Sequence, residues 1–330
     1  MVAAIKLGLV ATENGLLKDI VLEMMPSNWS LLTAGTDFDE AQRAMLKEAD
    51  YLLMAGGWMP LEAIDASPRL RMIQKLGVGY DGIDLGRLKQ RGIALANCPV
   101  DSASLAVAEH SVALAVSVLK RIPYLDDAVR RQREWPRWEP RRRIRQIGKQ
   151  VVAIIGFGRI ARHAAKLFLG LGCTLIVYSR TRPEDGEAWA EALGASSRVS
   201  FTSDLDAAFE QATLASLYVA LNDGTRGLIS RRQLDLLGPK GTLVNTARGV
   251  IVDQVELTAA LREGRLGGAA LDVLDVEPPP TDLDLFTAPN VIITPHCATG
   301  GVDVQEEKAE FALNNLVAFH EGRAIKSRIV

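Results

Sequence analysis

The chain has 330 residues, 48% hydrophobic and 24% charged, with a formal net charge of −2. It is long enough for two domains and ordinary in composition for a folded globular protein. The charge balance gives no field that would hold nucleic acid or an anionic membrane surface. Three cysteines, Cys98, Cys173 and Cys297, are too few and too scattered for a disulfide framework or a zinc site, so no metal is expected. Met1–Lys6 leads straight into strand-like sequence without the parts of a signal peptide. No unbroken apolar stretch reaches the roughly 18 residues of a membrane span. The expectation is a cytoplasmic protein.

In chain order, strands are predicted at Ile5–Val10, Ser30–Thr33, Tyr51–Met54 and Met72–Leu76. Helices are predicted between them at Asn14–Met24 and Asp39–Ala49, with Asp37 or Asp39 as an N-cap. This alternation predicts a parallel sheet covered on both faces. After the break Asn97-Cys98-Pro99, Ser102 or Ser104 can cap a long helix running to about Lys120. Its apolar face of Leu105, Ala108, Val112, Ala115, Val116 and Leu119 suits either a core or a subunit contact. The segment Arg130–Arg145 carries eight arginines with Trp135 and Trp138 and follows no helical or strand period. Arginine interleaved with tryptophan fits nucleic acid or a phosphate ligand. The near-neutral charge of the whole chain favours an exposed arm or partner-subunit contact instead. From Lys149 strands recur at Val151–Ile155, Thr174–Tyr178, Leu214–Val219, Thr242–Asn245, Gly268–Leu271 and Val291–Thr294, before a final helix at Val304–Phe319.

Gly156-Phe157-Gly158-Arg159-Ile160-Ala161 lies between the strand Val151–Ile155 and a helix at Ile160–Leu169, and the strand Thr174–Tyr178 completes a βαβ unit. That is the setting a dinucleotide turn requires. Gly156 permits the tight turn, and Gly158 lets a pyrophosphate approach the helix N-terminus; Ala161 takes the third position, which sets helix–strand packing. An acid usually follows the second strand to accept from the adenosine ribose. Here Ser179-Arg180-Thr181 follows it. Loss of the carboxylate and gain of Arg180 favour a 2′-phosphate, hence NADP over NAD, with Arg182 as a second candidate cation.

Further on, Arg248 ends Asn245-Thr246-Ala247-Arg248, Glu277 ends Leu271-Asp272-Val273-Leu274-Asp275-Val276-Glu277, and His296 ends Thr294-Pro295-His296. A cation for a carboxylate, an imidazole for a proton and an acid, downstream of a dinucleotide turn, are what reversible hydride transfer to a 2-oxo acid needs. At these residues the chain resembles the D-isomer-specific 2-hydroxyacid dehydrogenases. The resemblance implies two Rossmann-like, doubly wound parallel-sheet α/β domains with a cleft between them. Residues 1–99 plus 300–330 would bind substrate and 100–299 the dinucleotide, with crossings near Pro99–Asp101 and Thr299–Gly301. It also implies that Arg248 anchors the substrate, that His296 moves the proton and that Glu277 pairs with His296.

The resemblance extends further. Lys75–Asp84 looks like the family's substrate loop, with Val78 and Gly79 as the amide positions. Val107-Ala108-Glu109-His110 matches a stretch of the long helix, His110 there reading as structural, and Asp272 matches an aspartate that bonds the nicotinamide amide. Val107, Phe157, Arg159, Ile160, Thr246, Ala247, His296 and Ala298 complete the implied cofactor contacts. Gly82 for the usual Asn, and Tyr218 near a common His, depart from the family pattern. The family commonly dimerises, which with the long helix and the arm implies a homodimer. Members using 3-phosphoglycerate place an arginine after the third strand, where this chain has Met54-Ala55-Gly56-Gly57-Trp58-Met59. An unphosphorylated acid is therefore expected: glyoxylate, hydroxypyruvate, pyruvate or a larger apolar 2-oxo acid. A phosphoglycerate dehydrogenase-like enzyme is one alternative. Another is an NAD(H)-dependent scaffold like the C-terminal binding protein corepressors, although the long tail expected of such a scaffold is missing. Formate dehydrogenases need no acid–base pair, so Glu277 argues against them.

Overall fold

A computed structural model describes residues 4–11, 15–55 and 59–330, in two compact units: residues 1–103 with 300–330, and residues 104–299. Asn14 and the Gly56-Gly57-Trp58 segment lie outside the described residues.

The first unit starts with β1 (Ile5–Val10), α1 (Gly15–Met24), β2 (Trp29–Ala34), α2 (Glu40–Glu48) and β3 (Tyr51–Met54). It continues with α3 (Leu61–Asp65), β4 (Met72–Lys75), α4 (Leu85–Arg91) and β5 (Ala94–Ala96). The strands form one parallel sheet in the order β2-β1-β3-β4-β5. Of the two candidate caps for α2, Asp39 takes the role, accepting from the Gln42 amide at 2.8 Å. The short elements α3, α4 and β5 were not foreseen.

Next comes α5 (Asp101–Lys120), which starts before both predicted caps, so Ser102 and Ser104 lie inside the helix. Asp101 puts a carboxylate on the first turn, where the helix dipole favours it. By length and composition α5 alone among the described helices could cross a membrane, which a count of unbroken apolar runs missed. Ala108, Val112, Ala115, Val118 and Leu119 pack with Val152, Ile154 and Phe168 in the core of the second unit, so its apolar character is that of a core helix.

The second unit continues through α6 (Ile122–Arg130), β6 (Val151–Ile155), α7 (Arg159–Gly170), β7 (Thr174–Tyr178), α8 (Gly186–Ala192) and β8 (Val199–Thr202). Then follow α9 (Leu205–Gln211), β9 (Leu214–Leu217), α10 (Arg231–Leu237), β10 (Thr242–Asn245), α11 (Gln254–Arg262), β11 (Gly268–Leu271) and β12 (Val291–Ile293). The seven strands are parallel, in the order β12-β11-β10-β9-β6-β7-β8. The order reverses between β6 and β9, and ligands of such sheets bind at that switch point, beyond the carboxyl ends of the strands. Val152, Ala153, Ile154 and Ile155 are fully buried, as expected of a strand covered on both faces. On α7, Ala161, Ala164, Ala165, Phe168 and Leu169 recur at helical spacing and are buried against the sheet. Burial of a side chain such as Phe168 contributes about 1.5–3 kcal/mol.

Finally α12 (Val302–His320) returns to the first unit, where Ala309, Ala312, Leu313 and Leu316 pack with Leu7, Tyr51 and Met72.

Candidate active site

The turn after β6 is built for close approach. Gly156 has φ +97, and a Cβ there would lie 3.0–3.1 Å from Val219 and the Tyr218 carbonyl, where β9 ends. Gly158 caps α7 without a side-chain hydrogen bond, and a Cβ added to it would meet nothing within 4 Å. Open space in front of uncapped helix amides fits a pyrophosphate. Phe157 points into packing, edge-on to Trp189 and Phe201 at 5.1 and 5.4 Å. Thr246 Oγ1 is buried without a hydrogen-bond partner in the protein, as a group waiting for a ligand would be. These features fit a dinucleotide. Val107, on α5, is buried.

After β7 the chain turns through Ser179, whose hydroxyl donates to the Thr181 carbonyl at 2.7 Å. Two nearby arginines are committed: Arg162 binds Asp185 at 2.8 Å, and Arg182 pairs with Glu187. The side chain of Arg180 is exposed and makes no such pair among the described residues.

Arg248, Glu277 and His296 all follow the carboxyl ends of adjacent strands, β10, β11 and β12. Asn245 shapes the first turn, accepting from the Ala247 amide at 3.0 Å and donating to the Arg248 carbonyl at 2.8 Å. Gly249 is pressed against the next loop: a Cβ there would fall 2.0 Å from the Leu274 carbonyl carbon. Glu277 Oε1 accepts from the Leu274 amide at 2.9 Å, and its Oε2 lies 2.6 Å from His296 Nδ1. Burial pushes the Glu277 carboxyl upward, but His296, the Leu274 amide and the Arg248 charge outweigh it and hold the group below the usual carboxylate range. Glu277 is thus an anion at neutral pH. With Nδ1 tied to it, Nε2 is the nitrogen of His296 left to exchange a proton.

His296 has φ +50, uncommon outside glycine. Its amide donates to the carbonyls of Asp272 at 2.8 Å and Thr294 at 3.0 Å, which fixes this backbone. The buried Asp272 organises the loop further. Its Oδ1 accepts from the Thr294 hydroxyl at 2.6 Å and the Cys297 amide at 3.0 Å, and its Oδ2 from the Ala298 amide at 3.0 Å. The Thr294 proton is spent on Asp272, so His110 Nε2, 3.0 Å from Thr294 Oγ1, donates to that oxygen. His110, Asp272 and Cys297 also bring potential metal-ligand atoms within 4.8 Å of one another. The Asp272 oxygens, however, are already taken up in holding the loop. This organising work of Asp272 was not foreseen, nor was the part of Thr294. Tyr218, the departure from the family pattern, sets its hydroxyl between Ser111 and Ser216 at 2.7 and 2.8 Å, and burial pushes that phenol up to about 12.

In the first unit, Val78 and Gly79 lie on the turn after β4, where the Val78 carbonyl accepts from Asn97 Nδ2 at 3.0 Å.

A seven-stranded dinucleotide fold with a guanidinium and a Glu–His pair at neighbouring strand ends defines a nicotinamide-dependent oxidoreductase. Residues 112–298 match the family described as "D-isomer specific 2-hydroxyacid dehydrogenase, NAD binding domain". The glyoxylate reductase of Pyrococcus furiosus is 34% identical over 283 residues, covering 84% of this chain and 81% of that one. The glyoxylate/hydroxypyruvate reductase A HPR2 of Arabidopsis thaliana is 34% identical over 270 residues, 82% of this chain and 81% of that one. A solved structure of the NADPH-dependent glyoxylate/hydroxypyruvate reductase of Sinorhizobium meliloti, in complex with NADP and malonate, matches with TM-score 0.82 at 25% identity, over 99% of this chain and 97% of that chain. The chain belongs to the D-isomer specific 2-hydroxyacid dehydrogenase family, and it is an NAD(P)-dependent enzyme of that class.

Proposed function

We propose that the enzyme reduces a small unphosphorylated 2-oxo acid of the glyoxylate or hydroxypyruvate type to its D-2-hydroxy acid, with NADPH as the preferred reductant. The observation that carries the chemistry is the 2.6 Å contact between His296 Nδ1 and an ionised Glu277, beside Arg248. Arg248 anchors the substrate carboxylate through its planar fork and polarises the adjacent carbonyl. His296 donates its Nε2 proton to the carbonyl oxygen as the hydroxyl forms, and takes it back during oxidation. Glu277 stabilises the protonated imidazole and fixes its orientation. The reduced nicotinamide, when bound, supplies the hydride to the carbonyl carbon. Gly156, Gly158 and Thr246 are assigned to hold the dinucleotide, and Asp272 to hold the His296 loop. In the first unit, Val78 and Gly79, on the turn after β4, are assigned as substrate-binding positions.

The preference for NADPH rests on Arg180, the arginine of its turn left uncommitted where Arg162 and Arg182 have acidic partners. The similarity to reductases of glyoxylate and hydroxypyruvate supports the substrate class over a scaffold or a phosphoglycerate dehydrogenase. A homodimer is supported by the outward tryptophans of the arm, Trp135 at 79% and Trp138 at 68% exposure. A panel of 2-oxo acids, each assayed with NADPH and NADH, tests the reading. Glyoxylate or hydroxypyruvate should give the highest kcat/KM; turnover of neither would overturn it.

A further inference from the structure

Under the arginine-rich arm lies a cavity of about 280 Å³ that this chemistry does not use. Arg121, Arg142, Arg143, Arg145 and Lys240 line it, and among the described residues no carboxylate does. The chain as a whole has slightly more acids than bases, 40 against 38, so the sorting is local. Cations gathered around one hollow repel each other until an anion enters it.

Strand direction separates this cavity from the reacting end. Its floor is made by Lys240 and Thr242 at the start of β10, Gly267 just before β11, and Asn290 just before β12. Arg248, Glu277 and His296 follow the other ends of those parallel strands, roughly 10 Å of sheet away at about 3.3 Å per residue. A ligand that fills this volume cannot touch both.

Arg121 adds a second observation. It joins α5 to α6 with φ +55, and its Nε is buried with no hydrogen-bond partner. The guanidinium lies over the Tyr124 ring at 4.4 Å, which orients the fork. A strained residue carrying an unsatisfied buried donor, beside a hollow whose charged lining among the described residues is cationic, is arranged for an acceptor that comes from outside the chain.

We propose that this cavity binds a small multiply charged anion, of the phosphate-ester or polycarboxylate class, behind the sheet and apart from the active site. The volume admits a compact ligand, below the usual range for drug-sized molecules. Bidentate contacts from arginine forks suit both phosphate and carboxylate oxygens.

Titration calorimetry on the full chain, saturated with NADP so that the dinucleotide turn is filled, tests this with two probes, inorganic pyrophosphate and citrate. At least one should bind at one site per chain with sub-millimolar Kd, more weakly as salt is raised. Pyrophosphate alone would assign the phosphate arm and citrate alone the carboxylate arm. Arg145→Gln with Lys240→Gln should weaken binding at least tenfold, while Arg145→Lys, which keeps the charge, should retain most of it. Neither probe binding, or binding unchanged in the double variant, would overturn the proposal. So would a double variant that becomes monomeric in sedimentation while the wild-type dimer refuses both probes, because a second copy of the chain would then occupy the cavity.

Discussion

Replacing Ser179 with Asp and Arg180 with Ala together isolates the group that chooses between the two nicotinamide dinucleotides. Arg162 and Arg182 stay occupied by Asp185 and Glu187, so they do not substitute for the lost cation. A hydrogen bond to a charged group contributes about 1.5–3 kcal/mol, and each factor of ten costs about 1.4 kcal/mol. The wild type should therefore favour NADPH by roughly tenfold to a hundredfold in kcat/KM. Arg180 is exposed, so screening draws the value towards tenfold, and the preference should shrink as salt is raised. In the double variant the attraction is gone, and a carboxylate repels the 2′-phosphate while accepting from the ribose hydroxyls of NADH. The ratio should fall to one or reverse. The change should appear in cofactor KM with kcat nearly constant, because the 2′-phosphate binds ground and transition states alike. Initial rates with both cofactors, at low and high salt, measure all of this. A wild type that uses NADH as efficiently as NADPH, or a double variant that keeps its preference, would refute the role of Arg180.

His296→Ala should lower kcat by about 10²–10⁴-fold with little change in NADPH binding by fluorescence titration, and near-normal turnover would remove His296 from the acid–base role. Glu277→Gln should lower kcat with little change in NADPH binding, since the His296 ring loses the carboxylate that holds its Nδ1; an unchanged kcat would end that assignment. The depressed Glu277 carboxyl also contributes stability that is present above its unfolded value and lost as pH falls through its lower folded one. The same variant should therefore lower Tm at neutral pH and lose that deficit in strong acid, and an equal deficit at both would count against the pairing. Sedimentation at micromolar concentration should give a dimer mass; a monomer persisting with cofactor bound would refute it.

The strands and the dinucleotide turn were legible because buried parallel strands read as apolar runs and glycine marks the bend. Val151–Ile155 and Thr174–Tyr178 end where their residues say they should. Shorter elements carry too little pattern: Ala94–Ala96 is three small residues, and Val199–Thr202 is an edge strand with no apolar run. The start of α5 differs from the expectation because Ser102 and Ser104 both resemble caps, whereas the helix already begins at Asp101. The constellation of Arg248, Glu277 and His296 was readable from residue type and local setting. The bonds from Asp272 to Thr294, Cys297 and Ala298 were not, because they depend on β11 lying beside β12, with Leu271 opposite Ile293. Sequence separation hides a contact that strand pairing creates.

The missing side chain at Gly249 has a consequence for how the enzyme tolerates change. Nothing but main chain separates the turn behind Arg248 from the loop that leads to Glu277. The gap between anchor and acid is therefore gauged by the thickness of a peptide, which no repacking of neighbouring side chains can alter. Core residues beneath the two strands can be exchanged for others of similar volume without re-tuning the reacting groups. A single methyl group at position 249 would push both loops apart together, disturbing substrate grip and proton transfer in one step.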